Sequence, residues 1–105
     1  RKEIGAVEAI IADELERYAA TASARRAAPL IVDLREKAEA IRQGELERHR
    51  AKLEALDERE REAVEALTRG IISKLLHEPT VRVKDEAGSP QGELLAEALR
   101  TLFDL

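Results

Sequence analysis

Apolar side chains recur every three or four residues along most of this chain, and this spacing constrains the fold more than any other feature. The clearest row is Val64, Leu67, Ile71 and Leu75, which fall on one face of an α-helix. Aromatic residues make up only 2% of the sequence, so the core has to be built from Leu, Ile, Val and Ala. The pattern predicts an all-α helical bundle.

Proline and glycine positions divide the pattern into about four helices within a single domain over residues 1–105. Pro29 is expected to begin the second helix, because proline is tolerated in a first helical turn. Pro79 is expected to end the third helix, since it disfavours helical geometry at the preceding residue. At Gly44 we expect either a bend of the second helix or a change of its packing partner. The predicted helices span 1–24, 29–56, 58–78 and 90–103.

Two helix starts carry capping signals. Asp57 stands three residues before Glu60, which is the capping-box spacing. Ser89 precedes Pro90, which combines an N-cap residue with a first-turn proline. These signals predict new helices beginning near residues 58 and 90.

Composition excludes several classes of function. The chain has 105 residues, a formal net charge of -4 and no cysteine. It therefore has no thiolate nucleophile, no disulfide and no Cys-ligated metal, and its acidic balance argues against a dedicated nucleic-acid domain. No apolar run reaches the roughly 18 residues of a membrane span, and no glycine-rich phosphate loop is present. We predict no catalytic, cofactor-binding or metal-binding residue, no contact with a membrane and a cytoplasmic location.

The first residues predict a helix that continues upstream. The chain opens Arg-Lys-Glu-Ile, with no Ser, Thr, Asp or Asn cap before the periodic apolar positions begin. We therefore expect the sequence to be a fragment of a larger protein.

The apolar faces of these helices are too long to be buried within one copy of the chain. Full burial of one Leu, Ile or Val side chain is worth roughly 1.5 to 3 kcal/mol. Helices of about 40 and 30 Å cannot be covered by a final helix of about 20 Å, so we expect two copies to associate about a two-fold axis. A monomeric bundle is the alternative. The residues predicted to form the core and the dimer interface are Val64, Leu67, Ile71, Leu75, Leu95, Leu99, Leu102 and Phe103.

A few polar residues suggest other chemistry only weakly. His77 is expected to act as a cap or packing residue in the last turn of the third helix. Glu45 and His49 are one helical turn apart, but a metal site needs three or four ligands. A solvated pair is the expected role. The basic residues considered for contact with RNA phosphates are Arg25, Arg26, Arg48, Arg50 and Lys52.

Several segments resemble the C-terminal dimerisation domain of glutamyl-tRNA reductases. The stretch LTRGIISKLLHEPT at 67–80 is similar to that family's Leu-Thr … Lys-Leu-Leu-His-x-Pro-Thr pattern, and PLIVDLR at 29–35 is similar to its Pro-x-Ile-x-x-Leu-Arg. Arg42 followed by Glu45-Leu46, and the closing LFDL at 102–105, also fit.

This resemblance implies a role in holding two catalytic arms at a fixed geometry. The family's enzymes reduce glutamyl-tRNA to glutamate-1-semialdehyde with NADPH in tetrapyrrole (porphyrin) synthesis, and both the catalytic cysteine and the NADPH site lie in other domains. Residues 1–24 would form the end of the family's long spinal helix. The implied partners are a second copy, glutamyl-tRNA and the aminomutase that takes the aldehyde. A free-standing helical adaptor that binds another protein's helix and an RNA-binding module are the alternatives.

Overall fold

The computed structural model describes residues 2–105, apart from the side chains of residues 2–4, 19–24 and 26. Over this range the chain forms α1 (Lys2–Arg48), α2 (Arg50–Glu54), α3 (Glu58–Asp85) and α4 (Pro90–Phe103). No strand occurs among residues 2–105. The prediction of an all-α fold is confirmed.

The chain divides into two compact units. One consists of Arg1–Leu30 together with Arg82–Leu105, and the other of Ile31–Val81. The divisions fall inside α1 and inside α3, so each long helix contributes residues to both units. The single domain expected over residues 1–105 stays a prediction.

α1 runs through Pro29, and the expected boundary between helices at 1–24 and 29–56 is wrong. A proline inside a helix costs about 3 kcal/mol, because it lacks an N–H and its ring crowds the preceding turn. The side chains around Pro29 explain why the helix continues. Leu30 and Leu34 are only 2% and 1% exposed, and Ile31 is 7% exposed. At roughly 1.5 to 3 kcal/mol for each buried side chain, keeping these three on one continuous face outweighs the cost of the proline.

α3 likewise runs through Pro79 to Asp85, so the end expected at residue 78 and the connector expected after it are also wrong. Leu76 and Val83 lie on either side of the proline, at 7% and 2% exposed. Thr80 is buried between them, at 5% exposed. The alternation of valine with polar residues after Pro79 imitates a strand, but burial of this face keeps the segment helical.

The break after α1 lies at His49, whereas Gly44 lies inside α1. His49 has φ -103° and ψ 15°, in the bridge region between helix and strand geometry. Its backbone N–H and its ring Nδ1 lie 3.2 and 3.0 Å from the carbonyl oxygen of Glu45. The side chain therefore competes with the backbone for this acceptor, which weakens the helix locally. The second helix expected over 29–56 is interrupted here.

The two helix starts predicted from capping signals are confirmed, at Glu58 and Pro90. The Glu60 N–H donates to Asp57 Oδ1 at 2.8 Å, and the Asp57 N–H donates to Glu60 Oε1 at 3.3 Å, which is a reciprocal capping box. Ser89 caps α4, since its Oγ accepts from the Gly92 N–H at 3.0 Å. These contacts involve residues three apart, so the sequence alone suffices to predict them.

The turn between α3 and α4 depends on two glycines. Gly88 has φ 91°, a left-handed value that favours glycine. Gly92 is buried, and a Cβ atom at this position would collide with the backbone carbonyl oxygen of Glu86. The start of α4 can therefore approach the end of α3 only because residue 92 has no side chain.

Candidate dimer interface

The four predicted interface residues on α3 form an exposed apolar ridge, which we call the α3 stripe: Val64, Leu67, Ile71 and Leu75. Leu67, Ile71 and Leu75 are 64%, 51% and 68% exposed, and Val64 is half-buried. Their spacing of three and four residues places them on one side of the helix. A single copy of the chain leaves this side largely uncovered.

The buried face of α3 points in a different direction. Leu76 follows Ile71 by five residues, which turns its side chain by about 140° around the helix axis. Thr80 and Val83, which are also buried, lie on the same side as Leu76. The chain thus packs α3 through one face and leaves the α3 stripe free on another.

An apolar groove of about 510 Å³ lies beside the α3 stripe, within the unit Ile31–Val81. The end of α1, α2 and the first half of α3 supply its walls. Ile71 and Val64 belong both to the stripe and to the groove. The lining residues are Ile41, Arg42, Glu45, Leu46, His49, Lys52, Leu53, Val64, Thr68, Ile71 and Ile72.

A buried guanidinium joins two walls of this groove. The Arg42 side chain is only 2% exposed. It donates to both carboxylate oxygens of Glu39, from Nη2 at 2.6 Å and from Nε at 2.9 Å. From the same side chain, Nη1 lies 3.3 Å from Thr68 Oγ1 and 3.5 Å from Glu65 Oε2. Because Glu39 is on α1 and the other two partners are on α3, Arg42 ties the two helices together.

The pair with Arg42 changes the ionisation of Glu39. The pKa of the Glu39 carboxyl is lowered from 4.5 to about 2. The hydrogen bond from Arg42 is the largest cause, and the hydrogen bond from Gln43 is the next. The hydrogen bond with Glu39 raises the pKa of Arg42 above its ordinary value. The contact is therefore between two charged groups throughout the neutral range.

The four predicted interface residues on α4 lie in the unit Arg1–Leu30 with Arg82–Leu105. Leu95 and Leu99 are half-buried, whereas Leu102 is 78% and Phe103 41% exposed. None of the eight predicted residues is fully buried in one copy, so they are placed as an interface would be and not as a closed core. Their joint assignment to the dimer interface stays a prediction.

The weaker candidates have ordinary surroundings. His77 lies inside α3 and not in its last turn, because α3 continues to Asp85. His49 Nδ1 is 3.9 Å from Glu45 Oε2. No group of three or more His, Asp or Glu side chains in the described part of the chain is placed to hold a metal ion.

Two of the basic candidates are engaged by nearby carboxylates. Arg48 Nη2 lies 3.5 Å from Glu45 Oε2. Arg50 Nη1 lies 3.3 Å from Glu47 Oε1, and Arg50 Nε lies 3.6 Å from Glu54 Oε1. These pairs reduce the positive charge available to a phosphate backbone. Of the remaining candidates, Arg25 and Lys52 are exposed, and the Arg26 side chain lies outside the described residues.

Sequence reasoning missed the role of Arg42. A signal was present, since Arg42 follows the buried Ile31 by eleven residues and so lies only about 20° from it around the axis of α1. An arginine at such a position needs a partner. Glu39, one turn earlier, was the obvious one.

Residues 6–105 match the family described as glutamyl-tRNAGlu reductase, dimerisation domain. The chain belongs to this family. The resemblance seen in the sequence motifs is therefore confirmed, and the groove and the α3 stripe belong to a dimerisation domain. A domain of this kind joins copies of a protein, so the family supports self-association.

Curated relatives from several bacteria carry the name of the same enzyme family. A glutamyl-tRNA reductase of Thermobifida fusca is 47% identical over 98% of this chain. Those of Frankia alni and Natranaerobius thermophilus are 46% and 43% identical over 98% and 93% of it. The chain spans about a fifth of the length of these relatives, at 22%, 22% and 21%. No solved structure matches the chain.

Among residues 2–105, no helix is both long enough and apolar enough to span a bilayer.

Proposed function

We propose that this domain holds two copies of a glutamyl-tRNA reductase together and that its role is architectural. The observation that carries the proposal is the exposure of Leu67, Ile71 and Leu75, each more than half uncovered in one copy. Burial of these side chains by a second copy is favourable at roughly 25 cal/mol for each Å² of apolar surface.

For the complete protein, we propose the activity in the name of its relatives. The enzyme would reduce glutamyl-tRNA to glutamate-1-semialdehyde with NADPH, in the cytoplasm, as a step of tetrapyrrole synthesis. An aminomutase would take the unstable aldehyde. Support comes from the identity of 47% to the Thermobifida fusca glutamyl-tRNA reductase over 98% of this chain.

The residues of this domain do not fit NADPH. Dinucleotides bind where a strand meets a glycine-rich turn at the start of a helix, and residues 2–105 contain no strand. We propose that NADPH binds to other parts of the enzyme, and we derive no step of the reduction from this domain.

Sedimentation equilibrium tests the architectural role. We expect the wild-type chain to behave as a particle of twice 11.7 kDa at micromolar concentration. Ile71→Asp would place an unpaired charge in the interface, which costs about 3–5 kcal/mol, and should be monomeric. A wild-type chain that stays compact and monomeric would contradict the proposal.

Sedimentation equilibrium also tests the adaptor alternative, and a tRNA titration at several salt concentrations tests the RNA-binding alternative. A free-standing adaptor would be a monomer that binds an amphipathic helix from another protein. An RNA-binding module would bind tRNA with an affinity that falls steeply with salt. The ion pairs of Arg48 and Arg50 with neighbouring carboxylates do not favour the latter.

A further inference from the structure

The groove and the α3 stripe form one continuous surface, since they share two residues. Ile71 and Val64 line the groove and also belong to the ridge formed with Leu67 and Leu75. A concave apolar part and a protruding apolar part thus lie side by side in the unit Ile31–Val81.

A two-fold dimer brings the same patch of both copies together, so the patch has to be self-complementary. We propose that the groove of each copy receives the α3 stripe of the second copy, with Leu67 and Leu75 as the inserted side chains. This inference rests on the proposed function, and it adds that the groove of one copy is the surface that contacts the α3 stripe of the other.

The chemistry of the groove selects an apolar occupant. Arg42 is the buried charge in its wall, and Glu39, Glu65 and Thr68 already satisfy its guanidinium. Thr68 Oγ1 also lies 2.9 Å from the carbonyl oxygen of Val64, to which it can donate. These buried polar groups need no further partner, and inserting a polar side chain would cost desolvation without a compensating hydrogen bond.

The edge of the groove has the composition of an interface rim. Glu45, His49 and Lys52 are exposed, whereas Leu46 and Leu53 are half-buried. Protein interfaces commonly have such an apolar centre and a polar, solvated rim. A second copy seated here would bury the leucines and leave the three polar side chains in water.

The contacts of Arg42 also fix the walls of the groove in a single copy. They hold α1 against α3 in a single copy, so the walls are in place before association. A preformed site loses less conformational entropy on binding than a flexible one. This favours the second copy as occupant, because its own α3 stripe is equally fixed on a helix.

Chemical cross-linking between copies tests the inference directly. The chain contains no cysteine, so a single substitution introduces a unique reactive site. One copy carries Leu53→Cys in the groove, and a differently tagged copy carries Leu67→Cys on the stripe. We expect a short bismaleimide to join the two copies in the mixed dimer.

The matched control is Ala66→Cys in place of Leu67→Cys. Ala66 is exposed but lies five residues before Ile71, and so about 140° away around α3. Its cross-link to Leu53→Cys should be lost. Leu46→Cys, also in the groove, replaces Leu53→Cys if circular dichroism shows that the latter is unfolded.

The outcomes distinguish this inference from the proposed function. A wild-type dimer in which neither groove cysteine links to residue 67 overturns the inference and leaves the architectural role intact. A wild-type dimer that still binds the apolar dye bis-ANS in the groove also overturns it, since another molecule would then be the natural occupant. A monomeric wild-type chain overturns both.

Discussion

Truncation of Leu75 measures how much the α3 stripe contributes to dimerisation. Leu75 is 68% exposed in one copy, and its side chain contributes little to the packing of its own chain. Leu75→Ala should therefore weaken the dimer much more than it weakens the fold.

The expected change in the dimer Kd follows from the exposed fraction of Leu75. The substitution removes three carbon atoms, each worth about 0.8 kcal/mol when buried as a methylene. Because 68% of the residue is exposed, covering it in the dimer supplies about 1.6 kcal/mol of this in each copy. Two-fold symmetry doubles the effect to about 3.3 kcal/mol, which corresponds to a roughly 200-fold increase in the dimer Kd.

Sedimentation equilibrium over a range of concentrations gives this Kd. Leu94→Ala is the matched control, because Leu94 is 67% exposed but lies on α4 outside the predicted interface. We expect its Kd to stay near the wild-type value. If Leu75→Ala dimerises as well as the wild type, or if Leu94→Ala is weakened equally, the α3 stripe is not the dimer surface.

Three further predictions concern stability. Thr80→Val should raise the free energy of unfolding by up to about 1 kcal/mol in urea, because it removes a buried hydroxyl that has no hydrogen-bond partner; Thr68→Val, which removes a hydroxyl bonded to Arg42, should lower it. The pKa of Glu39 is lowered from 4.5 to about 2, so its stabilisation is complete above pH 4.5 and is lost as the pH falls towards 2. A chain carrying Glu39→Gln should lose less stability than the wild type across that interval in acid titrations followed by circular dichroism. Gly44→Ala should raise the melting temperature, since helix propensity favours alanine by about 0.5–1 kcal/mol and the new methyl group meets nothing within 4 Å; Gly92→Ala, which meets a backbone carbonyl, should lower it, and the opposite order would contradict the described turn.

Local signals predicted the starts of α3 and α4, whereas the helix boundaries expected at Pro29 and Pro79 were wrong. The caps at Asp57 and Ser89 depend on residues three apart, so the sequence contains the whole interaction. Pro29 and Pro79 were expected to mark boundaries because only their backbone cost is visible locally. The compensating burial of side chains such as Leu34 comes from residues distant in sequence, and it decides that both helices continue.

The candidate site was predicted only in part, again because contacts between residues distant in sequence are not visible in local patterns. The α3 stripe follows from helical periodicity, and in the structure three of its four members are exposed, namely Leu67, Ile71 and Leu75. The groove combines Ile41, Leu53 and Ile72 from three helices, and no spacing rule brings these residues together. Arg42 was visible as a charge on the apolar side of α1, but its partners on α3 depend on how the two helices pair.

Pro79 also affects the hydration of the dimer surface. Proline has no N–H, so the carbonyl oxygen of Leu75, four residues earlier, lacks its usual helical donor. Leu75 is the most exposed member of the α3 stripe, and water can reach this acceptor and bridge it to a polar group across the interface. An ordered water bound to this carbonyl oxygen is therefore expected in the dimer, beside the inserted side chain of Leu75.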